Sequence, residues 1–416
     1  MSRLRTTRRL QALAATSFVV LGLAACGNDD SGGGGGSGSG SGDPIVIGSS
    51  LPLTGEFSQP GGAAEQGYKV WQEMVNADGG LLGRDVELKI KDDASNQDTI
   101  VSDYNALISQ DKVDLLLGTF SSLLNLPASA VAERNQMVYV EPAGGSPKMF
   151  DRGFKYLFFA QQATADKQGK VFAEWIAGLP ADKRPKTAAY PTIDDPFASP
   201  NVEGIREILE KAGITTVYQE TYAIDTRNFD TIVTAMKSAN PDLVVHGAVF
   251  EDGVGLIRSM LKADFKPKWF YETSAPSQGD QFSEAIGAEN TEGIMFAISH
   301  APEAKTPGNE EFVKKYDEMF GGLPPEDAAD AYAAAQVLQA AVEAVGSIDD
   351  QQKLADWIRG NTVSTILGDL KWNEDGSPIG EFLIGQWQDG KVHYVLPEDV
   401  ATSDHIVEGW QPGGGS

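Results

Sequence analysis

One cysteine and four histidines in 416 residues set narrow limits on the chemistry this chain can perform. His246, His300, His393 and His405 are scattered without the spacing of metal ligands, and no Gly-x-Ser-x-Gly stretch holds a serine as a nucleophile. The expectation is a protein with no catalysis, no cofactor and no metal. The cysteine, Cys26, follows Leu23-Ala24-Ala25, the pattern at which a bacterial lipoprotein leader is cut and the thiol acylated. With that thiol consumed, no disulfide can form. A binding chemistry is better supplied. Gly118-Thr119-Phe120-Ser121-Ser122 follows an apolar run and precedes helix-compatible sequence to about Arg134. Such a loop offers free backbone N–H groups and two hydroxyls at the positive end of a helix, a site suited to a carboxylate. Ser121 or Ser122 could equally be a helix cap, and one serine could do each job.

The elements that must position this loop emerge from the rest of the chain. Residues 1–25 read as a secretory leader: Arg3, Arg5, Arg8 and Arg9 precede an apolar run too short to span a bilayer comfortably. Thr7-Arg8-Arg9 is also compatible with twin-arginine export. Residues 26–43, rich in glycine and serine, read as a tether of roughly 20–25 Å r.m.s. length. The chain carries 59 acidic against 33 basic residues, for a net charge of −26. A surface this acidic repels phosphate backbones and anionic headgroups, so nucleic acid is excluded as a partner and the lipid is the expected membrane contact. From Pro44 onward, short β-type runs at 45–48, 86–90, 113–117, 137–140, 187–190, 243–246, 269–271 and 294–298 alternate with amphipathic stretches. That is the pattern of βαβ units and mostly parallel sheets. A helix with Gly67, Val70, Trp71, Met74 and Val75 on one face stops at Asp78-Gly79-Gly80. An alanine-rich helix is predicted over 328–344. Length and alternation point to two similar α/β lobes.

Several segments together resemble one family. Leu51-Pro52-Leu53-Thr54-Gly55, Asn76-Ala77-Asp78-Gly79-Gly80-Leu81-Leu82-Gly83-Arg84, Lys91-Asp92-Asp93, Glu141-Pro142-Ala143-Gly144-Gly145-Ser146 and Thr365-Ile366-Leu367-Gly368-Asp369-Leu370-Lys371-Trp372 are similar, in that order, to the branched-chain amino acid and amide receptors of the type I periplasmic-binding fold. The resemblance implies a Venus-flytrap architecture with three hinge crossovers, near 159–162, 298–302 and 370–378. Lobe 1 would hold 44–160 and 300–370, lobe 2 would hold 161–299 and 378–397, and 398–416 would be a tail. It also implies a small-molecule ligand, an apolar amino acid or related carboxylate, passed to the permease and ATPase subunits of an ABC importer. A sensor for a signalling partner, or a receptor for an amide, urea or an aromatic acid, shares that fold and stays open. Carried onto this chain, the ligand contacts would be Ser121 and Ser122, the loop Ala143, Gly144 and Gly145, and the aromatics Phe197 and Phe250. Phe57 or Gln59 would stand where relatives have a tyrosine. Glu272, or Thr273 in its place, would meet a ligand ammonium. Asp327 and Asp330 would either border the cleft or serve as helix-start acids.

Overall fold

The computed structural model describes residues 42–413, so the leader, Cys26 and most of the tether lie outside the described residues. The first half alternates β1 (Ile45–Leu51), α1 (Ser58–Ala77), β2 (Val86–Asp92), α2 (Gln97–Ser109), β3 (Leu115–Leu117), α3 (Ser122–Arg134), β4 (Tyr139–Glu141) and β5 (Leu157–Phe159). These five strands form a parallel sheet in the order β2-β1-β3-β4-β5, with Ile47 opposite both Leu88 and Leu115. Helices cover both faces, which is why β3 can be three consecutive buried leucines.

The chain then builds α4 (Ala165–Gln168), α5 (Lys170–Gly178), β6 (Thr187–Ile193), α6 (Ala198–Lys211), β7 (Thr215–Tyr222), α7 (Asp230–Ala239), β8 (Leu243–His246), α8 (Phe250–Lys262), β9 (Trp269–Glu272), α9 (Asp280–Ile286) and β10 (Met295–Ile298). It returns to the first sheet with α10 (Asn309–Phe320), α11 (Glu326–Val345), α12 (Gln351–Gly360) and the small pair β11 (Val363–Thr365) and β12 (Gly368–Leu370). The hairpin β13 (Leu383–Gln388) and β14 (Lys391–Leu396) completes the second sheet, ordered β14-β13-β10-β9-β8-β6-β7. β13 runs antiparallel to β10, and the strands from β10 to β7 are parallel. The fold is therefore α/β with two mostly parallel, helix-flanked sheets, and the chain passes between them three times. Gln162 Nε2 binds the crossing segments together by donating to the carbonyls of Ser299 and Leu367, each at 3.3 Å.

The strands expected from apolar runs all recur, β8 at both of its ends. β7 was not expected because it is an edge strand with one face in water, so its residues form no apolar run. β5 was not expected because it is only three residues long. The segment after β14 also differs from the free tail expected. Trp410 is buried against Phe270 with ring centroids 5.2 Å apart, and Gln386 exchanges two hydrogen bonds with the Val407 backbone.

The placement of α11 governs the site. Its alanines let it lie unusually close to α1: a Cβ added at Gly67 would come within 2.0 Å of the Ala328 carbonyl oxygen. Only glycine permits that approach. Val337, Leu338 and Val342 of α11 bury into the same cluster as Ile45, Ile47, Leu115 and Leu117, each fully buried aliphatic side chain contributing about 1.5–3 kcal/mol. The first turn of α11 is thereby held at the junction of the two lobes.

Candidate ligand cleft

Open α/β sheets bind ligands where the carboxyl ends of their strands lead into loops. Both sheets present those ends to a shared cleft. Phe120 and Ser121 reach it from the loop after β3, and Pro142, Ala143 and Gly145 from the loop after β4. Asp195 and Phe197 follow β6, Val249 follows β8, and Thr273 and Ser274 follow β9. Gln161 comes from the first crossing, and Glu326, Asp327 and Asp330 from the start of α11.

The two adjacent serines have different surroundings. Ser121 occupies the cap position of α3, yet its hydroxyl makes no capping bond; it is buried and has no partner. Its φ of +70° is a conformation that costs a non-glycine residue about 1–3 kcal/mol and clusters at binding sites. Asn125 instead pins the loop before α3, accepting from Thr119 N at 3.2 Å and donating to Thr119 O at 2.8 Å. Ser122 instead accepts from Ser146 N at 3.0 Å, fastening the loop after β4 to the start of α3. Behind both loops, Glu141 Oε2 accepts from Ala143 N at 2.9 Å and from Asn125 at 3.2 Å. Burial pushes its carboxyl well above the usual range. Gly144 faces this carboxyl rather than the cleft, since a Cβ there would lie 2.7 Å from Glu141 Oε2.

Four other expected contacts lie elsewhere. Phe57 is a core residue, packed edge-on to Phe120 at 5.7 Å, so it backs the wall instead of forming it. Gln59 hydrogen-bonds Gln281 of α9, and Glu56 pairs with Arg227, so these residues join the two lobes. Phe250 begins α8 and packs against the apolar core. Glu272 is wholly buried. It accepts from Ala275 N at 3.2 Å and faces His246 Nδ1 at 3.5 Å, at the end of a chain that continues through Tyr222 to Asp252. Burial pushes Glu272 up and His246 down to about 4, so both favour their neutral forms. Thr273 does line the cleft, but its hydroxyl is engaged with the Ala248 backbone at 2.7 and 2.9 Å.

The acids at the start of α11 are not simply solvated helix-start residues. Ser299 Oγ lies 2.6 Å from Asp330 Oδ1 and 2.8 Å from Glu326 Oε1. One hydroxyl has one proton to give, so it serves one carboxyl at a time, and Glu326 Oε1 also accepts from Ser299 N. Burial pushes Glu326, Asp327 and Asp330 all upward, and the neighbouring acids push Asp327 and Asp330 further. Asp327 Oδ2 has no hydrogen-bond partner. Asp195 uses Oδ1 to accept from Phe197 N at 2.7 Å and Ala198 N at 3.2 Å, leaving Oδ2 without a partner. Among the described residues lining the cleft there is no lysine, arginine or histidine. Among the described residues no group of three or more His, Cys, Asp or Glu is arranged to hold a metal ion, and no helix is long and apolar enough to cross a membrane. Sequence reading missed Asp195, Gln161, Gln278 and Glu326. The spacing of Asp195 before Phe197-Ala198 signals a helix cap, but nothing in sequence signals its second oxygen.

The model of a family described as periplasmic binding protein matches residues 44–391. A Leu/Ile/Val-binding protein homolog of Brucella melitensis is 28% identical over 356 residues, covering 84% of this chain and 92% of its own. The branched-chain amino acid transporter substrate binding protein of Streptococcus pneumoniae, solved with isoleucine, superposes with a TM-score of 0.74 at 20% identity, over 84% of this chain and 97% of that one. An R. palustris solute binding protein of an ABC transporter, solved with benzoate, gives a TM-score of 0.74 at 18% identity, over 88% and 99% of the two chains.

Proposed function

The chain belongs to the periplasmic binding protein family, and we propose that it is the extracytoplasmic receptor of a bacterial ABC importer, taking an amino acid between its lobes and doing no chemistry on it. The observation that carries this reading is the cleft itself. An unpartnered serine hydroxyl, the backbone after β4 and the start of α3 face a space whose other boundary is lined by carboxyls. A zwitterion fits that polarity, its carboxylate toward Ser121, Ala143 and Gly145 and its ammonium toward the acids. Phe120, Phe159, Phe197 and Phe382 supply apolar wall. A bare carboxylate such as benzoate would face the acids with no cation to offset them, which weighs against an aromatic acid.

In this reading Cys26 is acylated, the lipid and tether hold the receptor on the extracytoplasmic face of the cell membrane, and the filled receptor delivers its ligand to permease and ATPase subunits. Thermal-shift screening against the standard amino acids, benzoate and urea tests the ligand class, since a ligand at 100 times its Kd stabilises the folded state by about 2.7 kcal/mol. At least one amino acid should raise the melting temperature, and a panel in which none does contradicts the reading. Replacing Cys26 with serine should release the protein from the membrane fraction; retention of the variant would sink the anchor.

A further inference from the structure

The first turn of α11 brings two carboxyls onto one serine. Asp330 Oδ1 and Glu326 Oε1 lie 2.6 and 2.8 Å from Ser299 Oγ, so the two groups face each other across a single oxygen, and both line the cleft. No cation stands beside them among the described residues. Asp327 shares their turn, Tyr271 of β9 lies near Glu326, and Tyr394 of β14 lies near both, with Glu303 next to it. Ser277 beside Glu326, Gln278 beside Asp327 and Gln161 beside Asp330 are neutral. His300, next to Ser299, is turned to Asn309 Oδ1 at 2.7 Å, and burial holds it down at about 4, so it too is uncharged near neutral pH. Two carboxyls this close, away from water and without a counter-ion, do not both ionise in the ordinary range: one keeps a proton to higher pH. Burial pushes both in that direction, and for Asp330 the charge of Glu326 adds to it. A ligand ammonium arriving beside the pair reverses the preference, because a nearby positive charge favours the ionised form.

We propose that binding of an amino acid expels a proton from the Glu326–Asp330 pair, so that the affinity of the receptor rises with pH. This rests on reading the cleft as the amino acid site of a receptor. With the cleft empty, the pair holds one proton. As the ammonium settles against it, the O–H bond of the protonated carboxyl breaks and the proton passes to solvent. Both carboxylates then face the cation while Ser299 continues to donate through its N–H and hydroxyl. Protons and ligand therefore compete: affinity climbs through the pH range in which the empty pair titrates and levels off above it.

The test is calorimetric titration of the whole mature chain with the standard amino acid that raises the melting temperature most, between about pH 5 and 8. Repeating it in buffers of low and high ionisation enthalpy, phosphate and imidazole, counts the protons released. At least about half a proton per ligand should leave somewhere in this range, with Kd falling severalfold per pH unit there. In Asp330→Asn, whose amide oxygen can still accept from Ser299, the count should drop below about 0.2 and Kd should become nearly independent of pH. Glu326→Gln provides a second variant should the first fail to fold. Tight binding with no proton released by the wild type overturns the inference and leaves the receptor reading standing. Release that persists in both variants also overturns it, since the proton then comes from another group. If no amino acid of the panel binds, the inference and the receptor reading fall together.

Discussion

The loops after β3 and β4 and the first turn of α11 border the same cleft, but they are built by opposite means. The first end is assembled locally: each loop continues a buried strand of one sheet, and its polar groups are backbone, hydroxyl and one carboxyl held behind. The second is assembled at a distance. Its acids reach the cleft because Gly67, some 260 residues earlier, lets α11 settle onto α1, and because Ser299 of a crossing segment meets Glu326 and Asp330. A site end made by local chain geometry tolerates distant change, whereas one made by helix packing depends on it.

The largest expected effect follows from that dependence. Gly67→Leu would drive a side chain into the Ala328 backbone, which cannot turn aside as a side chain can, so the cost should exceed the about 1–3 kcal/mol typical of core overpacking. The melting temperature should fall, and affinity for amino acids should fall with it because the acids are displaced. Unchanged affinity in the folded variant would show that α11 position does not matter to the site.

A smaller effect separates the two serines. Ser121→Ala removes a hydroxyl free to donate to a charged acceptor, an interaction worth about 1.5–3 kcal/mol, so affinity for an amino acid should drop roughly tenfold or more with little change in stability. The preference for the acid over its carboxamide should narrow as well. Ser122→Ala removes an acceptor from Ser146 N, so its main cost should appear as stability. Equal effects of the two on titrated affinity and on melting temperature would erase the distinction.

The smallest effects concern pH and contrast the lobes behind their loops. In lobe 1, burial pushes Asp93 up to about 7, so the folded state holds a proton that the unfolded chain releases near 4. Stability is fullest below that lower value and declines as pH rises through 7. In lobe 2, His246 is pushed down to about 4 while the unfolded residue titrates near 6.5. Its contribution declines instead as pH falls from about 6.5 toward 4. Melting curves of Asp93→Asn should be flatter toward high pH within this range, and those of His246→Gln flatter toward low pH. Slopes of the same sign for both would contradict the assignments.

The same contrast explains what could be read from sequence. Most strands of the two sheets, though not β5 or β7, and the loop at Ser121 were legible because apolar runs and a helix start are local signals. Asp327 and Asp330 were visible only as acids before an alanine-rich helix, with nothing to say where that helix would lie. Of Glu272 and its alternative Thr273, Thr273 is the one at the cleft: β9 runs one residue further than its apolar core, turning the glutamate inward to His246 and leaving Thr273 and Ser274 at the cleft. Phe57 was an aromatic of the right type, but it was already consumed in packing against Phe120.

The polarity of the cleft can be observed outright by determining the crystal structure of the protein with an amino acid that binds in the thermal-shift panel. The account predicts one ligand between the lobes, its carboxylate within hydrogen-bond reach of Ser121 Oγ and the backbone at Ala143–Gly145, and its ammonium toward the acids at the start of α11. A ligand bound outside the cleft, or one lying reversed with its carboxylate toward α11, would contradict it.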